Sequence, residues 1–128
     1  MSTPEPRQQA VEHYIRAYNA FDTEGMLADL HLDIIFQNIT DGQVDTETQG
    51  LEAFRQQAEQ AKHYFRERQQ TITGTQTEGD TIIVDISYRG VLAVDLPNGL
   101  KTGETLELQG QSVFSFEGDR IRVIQDRM

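Results

Sequence analysis

The 128-residue chain carries eleven Lys and Arg against twenty-one Asp and Glu, a formal charge of −10, with 37% apolar residues and no cysteine. That length suits one hydrophobic core, so a single domain spanning residues 1–128 is expected, and the absence of cysteine excludes disulfides and thiolate chemistry. The charge has the wrong sign for neutralising phosphates, which makes nucleic acid and anionic membrane surfaces poor partners.

No apolar run approaches the roughly 18 residues a membrane span needs. The opening segment MSTPEPRQQA, with its two prolines, does not read as a secretory signal. A cytoplasmic location is the expectation. The basic residues that cluster, Arg66 and Arg68, flank Glu67.

Val11, Tyr14, Ile15 and Tyr18 recur at i, i+3, i+4 and i+7, the stripe of an amphipathic helix. Thr3 before Pro4 predicts its N-cap and first turn. Asp22 predicts the cap of a second, shorter helix carrying Met26, Leu27 and Leu30. Ile34, Ile35 and Phe36 then read as a buried strand, with Asn38 continuing the alternation set by Phe36. The polar segment 40–49 reads as a loop or a short edge strand. Gly50 introduces a third helix, in which Leu51, Phe54, Ala58, Ala61 and Phe65 step by three and four.

After Arg66 the period switches to two. Thr71, Thr73 and Thr75 lead to a turn at Glu78-Gly79-Asp80, and Ile82 to Tyr88 returns. Val91 to Leu96 extends that run to a second turn at Pro97-Asn98-Gly99. Leu106 to Phe116 follows, then a tight turn at Glu117-Gly118-Asp119 and a last strand from Ile121 to Asp126. Helices gathered early and strands gathered late predict an α+β fold: a strongly curved antiparallel sheet closed by three helices into a cone with an interior cavity. The long hairpin from Val91 to Leu106 would leave an apolar face bare, which points to a second copy of the chain and a homodimer.

The helix VEHYIRAYNAFDTEGMLADL, the strand DIIFQN, the helix GLEAFRQ and the ending SVFSFEGDRIRVIQD resemble the superfamily of ketosteroid isomerase, SnoaL-like polyketide cyclases and nuclear transport factor 2. The resemblance implies the cystatin-like cone, homodimers paired through the sheet, and, in the isomerase branch, three catalytic groups. Matched to that branch, its tyrosine falls on Tyr14, in the YxxxxNAxD context. Its base falls on Asn38 and its acidic donor on Ser112. Asn38 has no useful pKa and cannot act as a general base, and Ser112 is a weaker donor than a carboxylic acid. Steroid isomerisation of the ordinary kind is therefore disfavoured.

Other residues remain open to chemistry. Tyr14 is either a phenol donor in the pocket or a core aromatic whose hydroxyl finds a backbone carbonyl. In the last strand Arg122, Ile124 and Asp126 share one face, so if Ile124 points inward Asp126 does too. Desolvated there, Asp126 would be a general acid or base; otherwise it is a strand-end carboxylate paired with Arg122 or Arg127. Tyr18, Asn38, Phe54, Ile86, Tyr88, Ser112, Phe114 and Ile124 are expected to line the pocket. Asp29, His31 and Asp33 alternate, but without further ligand spacing they read as a solvated connection and no metal is expected. His13 and His63 read as surface groups, and no cofactor is expected.

The reading that results is a SnoaL-like pocket protein. It would perform proton-transfer chemistry of lyase, isomerase or cyclase type on a hydrophobic carbonyl compound held in the cone. The alternatives are a noncatalytic ligand-binding pocket and a dimeric interaction module.

Overall fold

The computed structural model describes residues 5–97 and 99–127; Thr3 and Pro4 of the expected helix cap, and Asn98 of the second expected turn, lie outside them. In chain order the elements are α1 (Glu5–Asn19), α2 (Thr23–Leu27), β1 (Leu30–Thr40), β2 (Gln43–Gln49), α3 (Leu51–Ala61), a 3₁₀ turn (Lys62–Tyr64), β3 (Phe65–Glu78), β4 (Thr81–Leu92), β5 (Thr105–Glu117) and β6 (Arg120–Arg127). The α+β class follows directly: three helices cover one face of a curved, unclosed six-stranded sheet of order β2-β1-β6-β5-β4-β3. The sheet is antiparallel except that β1 runs parallel to β6, which sets Phe36 opposite Ile124 and Asn38 opposite Asp126.

Local chemistry fixes the helices. The α1 stripe buries Val11, Tyr14 and Ile15. Asp22 caps α2, its Oδ1 accepting from the Gly25 N–H at 3.0 Å. Leu30 belongs to β1, not to α2, which stops at Leu27. Gly50 turns the chain into α3 at φ +91°, a value few other residues adopt. The helical spacing of apolar residues runs on to Phe65, but α3 ends at Ala61. Phe65 reaches the core from the first position of β3 instead. A Cβ on Gly90 would stand 2.8 Å from the Phe65 ring, so only glycine leaves that ring its place.

The polar segment after β1 is the edge strand β2, with six paired residues along β1. The β4–β5 hairpin differs from expectation. Strand β4 stops at Leu92, and the described residues between it and β5, 93–97 and 99–104, form an irregular loop closed at its base by Leu92 N to Glu104 O (3.0 Å) and Gly103 N to Leu92 O (2.8 Å). Asp95 Oδ1 accepts from both the backbone and the hydroxyl of Thr102. Val91 and Leu92, the last residues of β4, are both buried although they point to opposite faces. Leu106 and Leu108 pack against the core, so the expected bare apolar hairpin face is in fact turned inward.

Between β5 and β6 the register slips by one: Phe116 pairs with Ile121 but Ser115 with Val123, leaving Arg122 as the extra residue of a β-bulge. Ile121, Ile124 and Asp126 consequently share the inner face, where strict alternation would put Ile121 outside. Ile82, Val84, Phe114, Ile121 and Ile124 are essentially inaccessible there. Phe114 stacks edge-on against Tyr14 at 5.5 Å. Truncation of Phe114 to alanine is expected to cost about 3–5 kcal/mol, read as a lower midpoint in urea-induced unfolding.

Candidate functional site

The helices do not fill the inner face completely. A cavity of about 60 Å³ remains among Tyr14, Tyr18, Met26, Phe36, Phe54, Gln57, Ala58, Ala61, Arg68 and Asp126. Helix α1 supplies the two tyrosines at a one-turn spacing, α3 supplies Phe54 to Ala61 along one face, and β3 and β6 supply the two charged residues. Among the described residues the walls are otherwise mostly apolar.

Asp126 reaches this cavity because the β6 bulge brings it, with Ile124, onto the inner face that Ile121 already occupies. Its Oδ1 accepts a hydrogen bond from Ser112 Oγ at 2.7 Å, across the β5–β6 pairing of these two residues. Although the residue keeps some accessible surface, the protein packed around its carboxyl desolvates it. That desolvation pushes the pKa from 3.8 up to about 6, against the opposing pull of the Ser112 hydrogen bond. Near neutrality the group thus changes protonation state readily.

Tyr14 is 5% exposed, wedged between the rings of Phe54 and Phe114. Its hydroxyl has no hydrogen-bond partner among the described residues, so the backbone carbonyl that would make it an ordinary core tyrosine is missing. Burial raises its pKa well above 10, and the nearby Asp126 charge adds to the rise. It is a protonated phenol held ready to donate. Tyr18 behaves differently: its hydroxyl pairs with that of Tyr88 at 3.0 Å, and burial raises both pKa values.

The remaining expected lining residues sit behind the wall. Phe54 and Tyr18 line the cavity, whereas Ile86, Tyr88, Phe114 and Ile124 are buried core residues supporting it. Ser112 touches Asp126 from behind. Asn38 is half-buried opposite Asp126 on β1 and outside the cavity lining. Period-two patterning gives the inner face of a strand, but which inner residues border a void depends on where the helices fail to fill.

Arg68 is the residue that reasoning from the sequence missed. It is 5% exposed, and its guanidinium lies 3.7 Å over the Tyr18 ring and 4.5 Å over the Phe21 ring. Its Nε donates to the Tyr18 carbonyl at 2.9 Å. A signal was present: Arg68, Gln70 and Ile72 alternate, and Arg68 pairs with Gly90 while Gln70 pairs with the buried Tyr88. Arg68 therefore has inner-face parity, which its charge disguised.

The histidines are engaged elsewhere. His31 Nδ1 accepts from the Asp33 N–H, which leaves Nε2 facing Glu117 at 3.0 Å, and His13 Nδ1 faces Asp29 at 3.0 Å. Among the described residues no three His, Asp or Glu side chains are arranged to hold a metal ion, and no helix is long and apolar enough to cross a membrane.

Residues 11–124 of the chain are matched by a family model described as SnoaL-like domain. The chain belongs to the SnoaL-like family. Solved structures agree on the fold. A candidate polyketide cyclase from Xanthomonas campestris pv. campestris is 21% identical, with 99% of this chain and 93% of that chain covered and a TM-score of 0.83. A protein of ketosteroid isomerase-like fold from Catenulispora acidiphila, crystallised with trimethylamine, is 17% identical over 98% and 85% of the two chains, with a TM-score of 0.76. An NTF2-like protein from Burkholderia pseudomallei is 20% identical over 98% and 90%, with a TM-score of 0.75. No curated protein matches the chain in sequence.

Within this SnoaL-like frame the elevated Asp126 pKa is also a statement about stability. A carboxyl whose folded pKa lies above its unfolded value favours the fold fully below pH 4, and that contribution is lost as pH rises through about 6. Moving the pKa from 3.8 to about 6 corresponds to roughly 3 kcal/mol. Asp126→Asn keeps an acceptor for Ser112 and removes the charge. It is expected to be about 2–3 kcal/mol more stable than the parent at pH 8 and no more stable near pH 4, as thermal unfolding at the two pH values would show.

Proposed function

We propose that this SnoaL-like protein catalyses proton transfer next to a carbonyl group, with Asp126 as the base and Tyr14 as the donor that polarises the carbonyl. The observation that carries this reading is one cavity holding both a desolvated carboxylate, with a pKa near 6, and a phenol without a protein partner. A base poised near the working pH combines a useful ionised fraction with real proton affinity. The polyketide cyclase and ketosteroid isomerase-like relatives make chemistry of this type the natural comparison.

In the proposed step, ionised Asp126 accepts a proton from the carbon adjacent to the carbonyl. The electron pair of that C–H bond forms the carbon–carbon double bond, and negative charge collects on oxygen. Tyr14 donates a hydrogen bond to that oxygen as the charge develops, worth most in a site with little water. Protonated Asp126 then returns the proton to carbon, at the same or a conjugated position. Ser112 serves as a positioning residue: its hydrogen bond fixes the carboxylate and restrains its pKa.

The test is deuterium exchange into butanone in D₂O, followed by proton NMR. Asp126→Asn is expected to lower the protein-dependent rate by about 10²–10⁴-fold. The wild-type rate should rise with pH and inflect near 6, where Asp126 ionises. Ser112→Ala removes the interaction that lowers that pKa, so its inflection should move upward. Exchange by Asp126→Asn as fast as the parent would sink the catalytic reading.

The small volume of the cavity favours a second reading, a binding pocket without turnover. It would stand if ligands bound to the parent and to Asp126→Asn alike and no exchange occurred.

We also infer a homodimer through the outer face of the sheet. Ile35, Ile83 and Val123 are half-buried there beside the buried Val113 on neighbouring strands, and none of the four belongs to the core cluster under the helices. Light scattering at micromolar concentration should give twice the monomer mass, and Val123→Asp, at a half-buried position of that face, should give the monomer.

A further inference from the structure

Arg68 is a permanent cation in a place that does not neutralise it. The Tyr18 and Phe21 rings and the Tyr18 carbonyl satisfy part of the guanidinium. Its Nη2, however, is inaccessible and has no hydrogen-bond partner. No carboxylate among the described residues forms an ion pair with Arg68. Asp126 shares the cavity, but its carboxylate accepts from Ser112 and is not within ion-pair distance of Arg68. Buried donors and buried charges are normally paired, and an orphaned cation beside a cavity marks a missing anionic partner.

A second observation points the same way. On its other side Arg68 borders a groove of about 290 Å³ that also contains Arg66 and Arg89, with Glu67 as its one carboxylate. Neither Arg66 nor Arg89 pairs with an acidic residue among the described residues. In a chain with a net charge of −10, three of the eleven basic residues converge on this groove. Such a local reversal of sign concentrates anions beside Arg68, the one residue that lines both the groove and the cavity.

We propose that the cavity takes a small oxo acid, whose carboxylate is held by the cavity-lining side of the Arg68 guanidinium while its carbonyl and enolisable carbon face Tyr14 and Asp126. This rests on the proton-transfer reading and specifies its substrate class. The carboxylate is unchanged in the reaction: the proton leaves carbon for Asp126, and the electron pair moves toward the carbonyl oxygen beside Tyr14. A guanidinium suits a carboxylate better than an ammonium does, because its planar donors match the carboxylate oxygens.

The test compares 2-oxobutanoate, its neutral amide 2-oxobutanamide, and butanone at pH 7. Binding is followed by calorimetry and exchange at carbon by proton NMR. The parent chain is expected to bind the acid at least tenfold more tightly than the amide, with a preference that weakens as salt is added. Arg68→Met, close in length but uncharged, should abolish the preference, while Asp126→Asn should bind the acid and fail to exchange it.

Equal binding of acid and amide by the parent overturns the carboxylate subsite. That comparison needs no variant, so it decides the matter even if Arg68→Met does not fold. If butanone is also exchanged in an Asp126-dependent manner, the proton-transfer reading survives that failure. A preference for the acid that persists in a folded Arg68→Met equally overturns the assignment to Arg68. Acid preference together with full exchange by Asp126→Asn supports the subsite and removes Asp126 as the base.

Discussion

Where β5 meets β6, Arg122 has no register partner on β5, and the strand must accommodate one more residue than its neighbour offers. The bulge absorbs that residue by shifting phase, so that Ile121 and Ile124 both enter the core although three positions separate them. Residues beyond the bulge then keep the inner phase, and Asp126 arrives beside Ser112 instead of in solvent. Burying Ile121 and placing the carboxylate are one event. The core anchors the early part of β6 and dictates the environment of its last part. The bulge therefore links the stability of the fold to the electrostatics of the cavity.

The elements most visible in the sequence were those with sustained periodicity. The α1 stripe of Val11, Tyr14, Ile15 and Tyr18, and the alternating runs around Ile82 to Tyr88, translate directly into buried faces, because a regular element repeats its geometry. Legibility failed where regularity did. The alternation through Val94 and Leu96 could be read as strand, yet the chain leaves the sheet at Leu92 to form a loop held by Asp95 and Thr102. The segment 43–49 lacks an apolar face because it is an edge. Its strand character comes from pairing with β1, a long-range fact that composition does not carry.

Site legibility followed the same line. Tyr14 and Asp126 could be named because each shares a phase with strong apolar neighbours. Arg68 could not, since a charged side chain on a strand ordinarily belongs to solvent, and its burial depends on rings contributed by Tyr18 and Phe21 from the end of α1 and the turn beyond it. Asn38 and Ser112 occupy positions that the isomerase resemblance fills with acids. In this chain the polar contact has been redistributed: Ser112 no longer supplies a proton donor to the cavity but restrains the carboxylate standing in front of it.

The sheet is open, so it has two exposed rims, β2 and β3. An unpaired rim is a template on which another chain can add strands and continue into an aggregate. Here β2 sets Asp45 and Glu47 into a strand with a single apolar residue, Val44, and β3 carries Arg66, Glu67 and Glu78 among threonines and glutamines. Adding a like strand to β2 would bring equal charges together while burying little apolar surface in return. The acidic residues of β2 thus disfavour growth of the unclosed sheet at that rim, separately from anything the cavity does.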